Sequence, residues 1–307
     1  MKVKKTKNKT DFIAKSQVKV TTCGNVTCVS TTHSPFTFVC DRIDKDHYCY
    51  LPTGEIREYS HGTSRASDLQ SVARSLALGR DILNANITDV SKCRWLTLTY
   101  AENMTDPKRL YRDFQTFNRR CRSAFGRYEY ITAAEPQKRG AWHLHCVFIF
   151  PDKAPYMKNE IVRDFWKQGY VTIKRLDENV DNIGAYLTAY LGDMELTEGE
   201  KVDVHPGRIK TVDYIDNDGK MKNKRYVKGG RLKMYPPGFH MFRFSKGIKR
   251  PDVKYMYYGD FEQKEKASCG TLTFSEKVEF SDETSGFTTS VSYEYYNKAR
   301  KKSQDPR

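Results

Sequence analysis

The sequence lacks the signatures of nucleotide-driven and common hydrolytic active sites. It has no G-x-x-x-x-G-K-[ST] phosphate loop, so neither ATP use nor a helicase activity is expected from it. It has no G-x-S-x-G and no H-E-x-x-H. No apolar run approaches the roughly 20 residues of a membrane-spanning helix, and the longest candidate, Cys146-Val-Phe-Ile-Phe150, is the size of a strand. No membrane association is expected. The opening MKVKKTKNKTDF is basic but has no apolar h-region, so no secretory signal is expected. Eight cysteines occur without a CxxC pair. Cys23, Cys28, Cys40 and Cys49 are separated by four, eleven and eight residues, spacings that fit no zinc template; a zinc site there, with His33 or His47, is the weaker reading. Reduced thiols are the default in a chain without a secretion signal. No internal repeat is present.

What the sequence does have is positive charge and aromatic rings. Its 307 residues carry 53 Lys and Arg against 38 Asp and Glu, a net of +15. Such an excess favours a polyanionic partner. Aromatic residues reach 13%, with 20 Tyr and 16 Phe, far above what disordered chains carry, so most of the chain folds. A soluble, basic, intracellular nucleic-acid-binding protein is the expectation.

Residues 1–10 read as a flexible basic arm. Residues 16–60 are β-rich, with runs at 17–22, 36–40 and 47–50 and a turn at Leu51-Pro-Thr-Gly54. A helical pattern opens near Ser67 and runs to about Asn86. Strands follow at Arg94–Tyr100 and Arg127–Glu135, with a basic helix from Leu110 to Ser123 between them. A hairpin loop, Pro136-Gln-Lys-Arg-Gly140, leads to a strand at Ala141–Phe150. Helices are predicted at Asn159–Trp166 and Asn179–Leu191, with a strand at Gly169–Lys174. Val204–Pro251 reads as loop-rich and basic, with a dense run over 220–233. Strand-like runs at 270–274 and 288–293 precede a polar tail. The order implies an α+β protein with a central, largely antiparallel sheet flanked by helices. Three sections are expected: 1–64, a basic arm and a small β-rich part; 65–250, the central domain; and 251–307, a C-terminal extension.

The chemistry centres on Trp142-His143-Leu144-His145. Alternation on a strand sends His143 and His145 to one face and Leu144 to the other. Across the hairpin, Glu135 is placed opposite Ala141, on the histidine face and diagonal to His143. Two imidazoles and a carboxylate suit Mg²⁺ or Mn²⁺ with positions left for phosphate oxygens. Further on, Tyr186 and Tyr190 lie four apart on a predicted helix and so on one face. A phenol becomes a useful nucleophile when the phosphodiester is polarised.

The ordered set Leu96-Thr-Leu-Thr-Tyr100, Glu135, Arg139-Gly-Ala-Trp-His-Leu-His145 and Tyr186-x-x-x-Tyr190 resembles the motifs of the rolling-circle replication initiators, the HUH endonucleases, of phage and plasmid type. The string Arg231-Leu-Lys-Met-Tyr-Pro-Pro-Gly-Phe239 adds to the likeness, which covers about residues 65–250. The resemblance implies an HUH-endonuclease-like sheet. It implies a divalent ion held by His143, His145 and Glu135, and Tyr186 as the first nucleophile with Tyr190 as the second or an auxiliary. It implies metal-dependent nicking and joining of single-stranded or hairpin origin DNA through a 5′-phosphotyrosyl link, in the cytoplasm of a bacterial host, with a helicase supplied by the host. The family often has a Lys just before the second Tyr; here Ala189 stands there, so a cation from elsewhere is needed. The helix 110–123 and the run 220–233 are expected to contact phosphates, and Trp142 and Tyr170 to stack on unpaired bases. The other readings are a relaxase or transposase with the same chemistry, and a basic nucleic-acid-binding protein without catalysis.

Overall fold

The computed structural model describes residues 2–32, 40–176, 180, 182–189, 191–197, 200, 208–215, 220–283 and 286–300. The strand run expected at 36–40 lies outside the described residues except for Cys40. The first strands are β1 (Lys2–Lys7), β2 (Gln17–Cys23), β3 (Val26–Thr31), β4 (Cys40–Arg42), β5 (His47–Tyr50) and β6 (Glu55–Glu58). Helix α1 (Leu69–Asn86) leads to β7 (Cys93–Tyr100), α2 (Pro107–Phe125), β8 (Glu129–Pro136), β9 (Trp142–Ile149), α3 (Asn159–Trp166) and β10 (Gly169–Lys174). Then come α4 (Ile183–Thr188), β11 (Met194–Leu196), β12 (Ile209–Ile215), β13 (Met221–Val227) and β14 (Phe242–Phe244). The chain closes with β15 (Asp252–Tyr257), α5 (Tyr258–Lys264), β16 (Thr271–Asp282) and β17 (Phe287–Asn297). The class is α+β with antiparallel sheets, as the element order implied. Residues 1–61, 84–88 and 250–307 form one compact unit and residues 62–83 and 89–249 the other.

In the first unit, strands from both ends of the chain interleave in one six-stranded sheet, β1-β16-β17-β3-β2-β15. Val18, Val20 and Val29 from its strands pack with Phe261 and Tyr258 of α5. The opening residues are not a free arm. Lys2–Lys7 pairs with Ser281–Glu276 as an edge strand. Unpaired backbone groups on long β16 offer the segment a partner, and its lysines keep the resulting edge soluble.

In the second unit, β10-β7-β9-β8-β14 make an antiparallel sheet. β7 and β10 alternate in burial along most of their length, whereas β8 is buried on both faces from Ile131 to Pro136. Leu96, Leu98 and Tyr100 share a buried face with Leu144, Cys146 and Phe148 of β9. Helix α2 covers that face. Asp106 caps it by accepting from the Lys108 N–H, Pro107 opens it, and Gly126, at φ +81°, ends it. Leu110, Phe114, Phe117 and Cys121 recur at helical spacing and are buried. Phe117 meets Phe148 and Trp166, and Tyr100 donates to Asp113.

Two stretches of the second unit also differ from the sequence reading. The helix predicted over 179–191 is only Ile183–Thr188, capped by the Asn182 side chain accepting from the Ala185 N–H. Past Ala189 the chain turns through Gly192, at φ +84°, instead of continuing as a helix. The stretch read as loops after 204 holds the hairpin β12–β13, joined by β11. Much of β13 is exposed, so no apolar alternation marks it in the sequence.

Candidate active site

The register of the second unit's sheet builds the site. Glu135 pairs directly with His143, and Thr97 with His145. The sequence reading had Glu135 opposite Ala141. The actual pairing is shifted by two residues because Pro136 pairs with Trp142 and the turn is Gln137–Ala141. A two-residue shift preserves the face, so Glu135, His143 and His145 still converge. Their potential ligand atoms all lie within 4.8 Å of one another. Among the described residues this is the one cluster of three or more such ligands; the N-terminal cysteines form none, and His33 lies outside the described residues.

Glu135 is 5% exposed, and its two oxygens have different tasks. Oε1 accepts from the Gly192 N–H at 2.9 Å and from Arg231 Nη1 at 3.0 Å. Oε2 faces His143 Nε2 at 3.1 Å and His145 Nε2 at 3.5 Å. The carboxylate is therefore anchored through one oxygen and offers the other beside two imidazoles. His145 Nδ1 lies 3.2 Å from Thr97 Oγ1, so the ring donates to the carboxylate through Nε2–H in one tautomer, and in the other donates to the threonine and frees the Nε2 lone pair for an ion. Burial alone would raise the Glu135 carboxyl. The bonds from both histidines and the Arg231 charge outweigh it and hold the group well below the usual carboxylate range. Burial lowers His143, a shift that the Glu135 hydrogen bond opposes, so its ring favours the neutral, ligating form. One hard oxygen and two imidazole nitrogens, held this way, fit a small divalent ion.

Tyr186 stands on α4, half exposed. Its ring meets the Trp95 ring edge-on with centroids 6.1 Å apart, and Trp95 lies 6.1 Å from the His145 ring. Leu187 of the same helix lines a small cavity with Trp95, His145, Ala133 and Phe242. Thus α4 is seated on the histidine side of the sheet. Tyr190 lies outside the described residues.

A cleft of about 1180 Å³ opens beside His143, between the Gln137–Arg139 turn and β13. Lys138, Arg139, Lys222, Lys224, Arg225 and Arg231 line it. The basic run 220–233 thus reaches the site. The basic helix does not: α2 covers the face opposite the histidines, and its Arg120 and Arg122 are bound to the Phe165 and Tyr128 carbonyls. Trp142 is also unavailable for base stacking. It is 2% exposed, stacks on Phe239 at 4.6 Å and donates to the Thr105 carbonyl.

Arg231, Gly192, Thr97 and Trp95 were missed as site residues. Arg231 was visible at the head of its string, whose role the structure explains. Leu232 is buried, Tyr235 donates to the Ala134 carbonyl and Phe239 stacks on Trp142, so the string braces the strands that carry the trio. Trp95 and Thr97 could have been found from alternation, since they face away from Leu96 and Leu98. Gly192 carries no such signal.

Residues 93–195 match the model of the family described as replication-associated protein ORF2. The match includes Glu135, His143, His145 and Tyr186 and stops short of Arg231. No curated protein and no solved structure matches the chain.

Proposed function

We propose, from the match of residues 93–195 to the replication-associated protein ORF2 family, that this chain starts replication by nicking and rejoining one DNA strand at an origin of a phage or plasmid. The observation that carries the reading is the convergence of Glu135 Oε2 with the two histidine nitrogens inside the matched segment. Glu135, His143 and His145 hold Mg²⁺ or Mn²⁺; when bound, the ion supplies charge neutralisation and orientation of the scissile phosphate. Tyr186 attacks the phosphorus through its hydroxyl oxygen. The bond from phosphorus to the 3′ oxygen breaks, the phenol proton is lost, and the departing 3′ oxygen takes up a proton. The 5′ end stays on the tyrosine as a phosphodiester, so the strand can be rejoined without ATP. Trp95 orients the Tyr186 ring. Arg231 supplies the cation that Ala189 cannot, fixing Glu135 and facing the cleft through which the strand approaches.

The test is a denaturing gel. Single-stranded oligonucleotides tiled across the replicon's origin region are incubated with the protein and Mn²⁺, with and without EDTA. A covalent adduct on the 5′ end of the downstream fragment is expected, lost with EDTA, with His143→Ala and with Tyr186→Phe. Full adduct yield in Tyr186→Phe with none in Tyr190→Phe reverses the assignment of the nucleophile. Cleavage unchanged by His143→Ala and by the double tyrosine variant leaves a binding protein without this catalysis.

A further inference from the structure

The sheet face that carries the histidines continues beyond them. Strand register extends the His143 row through Thr99 to Tyr170, and the His145 row through Thr97 to Thr172. A third row runs from Val147 through Trp95 to Lys174. β10 is the edge of this sheet, and its Tyr170, Thr172 and Lys174 are exposed, Tyr170 at 70%. Three short threonine side chains thus make a low floor. Tyr170 stands at one side of it, and Trp95, with Tyr186 against its ring and the Lys174 ammonium 5.8 Å from its centre, stands at the other. The backbone of Tyr170 is two strand spacings, roughly 10 Å, from that of His143.

A single exposed tyrosine on a surface is ordinary. This one shares a row with the trio and a strand with a lysine, in a unit whose 33 Lys and Arg outnumber its 22 acids. The ligand that complements a flat ring, a low polar floor and a cation in series is a strand with alternating π-faces and phosphates. A duplex hides its base faces; an unpaired strand presents them. We propose that this floor seats the single-stranded DNA adjoining the scissile phosphate, with one base stacked on Tyr170 and a neighbouring phosphate at Lys174. The assignment rests on the reading of the trio as a DNA-nicking centre, and it extends the strand's path to the side of the site away from the β13 cleft.

The test uses the full chain in EDTA, where no cleavage occurs. Fluorescence anisotropy measures binding of a labelled single-stranded oligonucleotide of mixed sequence and of the corresponding duplex. Tyr170→Ala should weaken single-strand binding by about 5- to 100-fold, the worth of one stacked base, and leave duplex binding unchanged. Tyr170→Phe should keep wild-type affinity, because the ring and not the hydroxyl does the stacking. Lys174→Met should flatten the dependence of log K on log salt by about 0.7, one single-strand phosphate. Wild-type single-strand affinity in Tyr170→Ala overturns the proposal, as does equal loss for single strand and duplex. Anisotropy and adduct formation are separate readouts, so failure of the floor and failure of the nicking reading are told apart. Selective loss in Tyr170→Ala in a protein that never forms the adduct keeps the floor and removes the nicking. A normal adduct with unaltered affinity in Tyr170→Ala does the reverse.

Discussion

Each unit buries one glutamate in its main sheet, and the two carboxylates are surrounded by opposite chemistry. Glu294, 6% exposed in the first unit, accepts from three hydroxyls: Tyr258 at 3.1 and 3.0 Å, Tyr296 at 2.6 Å and Thr10 at 3.2 Å. Both of its oxygens are occupied by groups that only stabilise it. Glu135, 5% exposed in the second unit, has one oxygen anchored and the other beside two imidazoles that can exchange a proton for an ion. Burial of a carboxylate is thus no mark of a site. The type of its partners, and whether one oxygen is left uncommitted to a fixed donor, separates a structural network from a reactive one. The charge divides in the same way: the first unit nets +4, from 20 Lys and Arg against 16 acids, and the second nets +11, from 33 against 22.

The sharpest way to break the comparison is to truncate both glutamates. Glu294→Ala strands two tyrosine hydroxyls that burial keeps protonated and should destabilise the first unit by about 3–5 kcal/mol. Hydrogen exchange at the β17 amides reads that loss, and Mn²⁺ binding by calorimetry should stay at wild-type affinity. Glu135→Gln should remove the calorimetric Mn²⁺ signal while the β17 amides exchange as before. Equal effects of the two substitutions on ion binding would sink the distinction.

Next in size are the two groups on the anchored oxygen of Glu135. Arg231→Met removes a donor that sets the carboxylate's direction and should weaken Mn²⁺ binding by roughly 10- to 100-fold. Arg231 Nε is buried without a hydrogen-bond partner among the described residues, and Nη1, bonded to Glu135, orients the guanidinium. Gly192→Ala acts through the backbone. At φ +84° a Cβ is strained, and it would meet Leu232 Cδ2 at 3.3 Å. A cost of about 1–2 kcal/mol is expected, read by tryptophan fluorescence on urea unfolding, since all three tryptophans lie in the second unit.

Much of the trio was legible because it depends on a two-residue period. Glu135, His143 and His145 needed only a hairpin and the right parity, and a loop misjudged by two residues left the parity intact. The Gly169–Lys174 strand and the Asn159–Trp166 helix were likewise written in local pattern, and the structure has the same bounds. What was not legible is long-range. The six-stranded sheet pairs residues about 280 positions apart, and nothing near Lys2 announces Ser281. That α2 packs on the face away from the trio was illegible for the same reason. A helix shows its own apolar stripe in sequence, but not which face of a distant sheet that stripe will cover. Gly192 was invisible because its contribution is a backbone N–H.

The smallest effect, and the one that reads both carboxylates at once, is the response of each unit to pH. In the second unit Glu135 is held low by its partners and His143 is held low by burial. Each group takes up a proton more readily unfolded than folded, from the ordinary 4.5 of the carboxyl and 6.5 of the imidazole downward, so stability is present at neutral pH and falls with acid. In the first unit burial raises Tyr258 and Tyr296, with the Glu294 charge adding to it. Their protons are lost more readily unfolded, above the ordinary 10.0, so stability is present below that value and falls with alkali. In EDTA, tryptophan-monitored unfolding should therefore shift to lower denaturant as pH drops from 7 toward 5. Protection of the β17 amides should weaken selectively above pH 10. Excess Mn²⁺ should blunt the acid response of the tryptophans, because an ion on the trio competes with the proton, and should leave the alkaline response of β17 untouched. An acid response that Mn²⁺ does not blunt would mean that the protons report on the fold of the second unit and not on its trio.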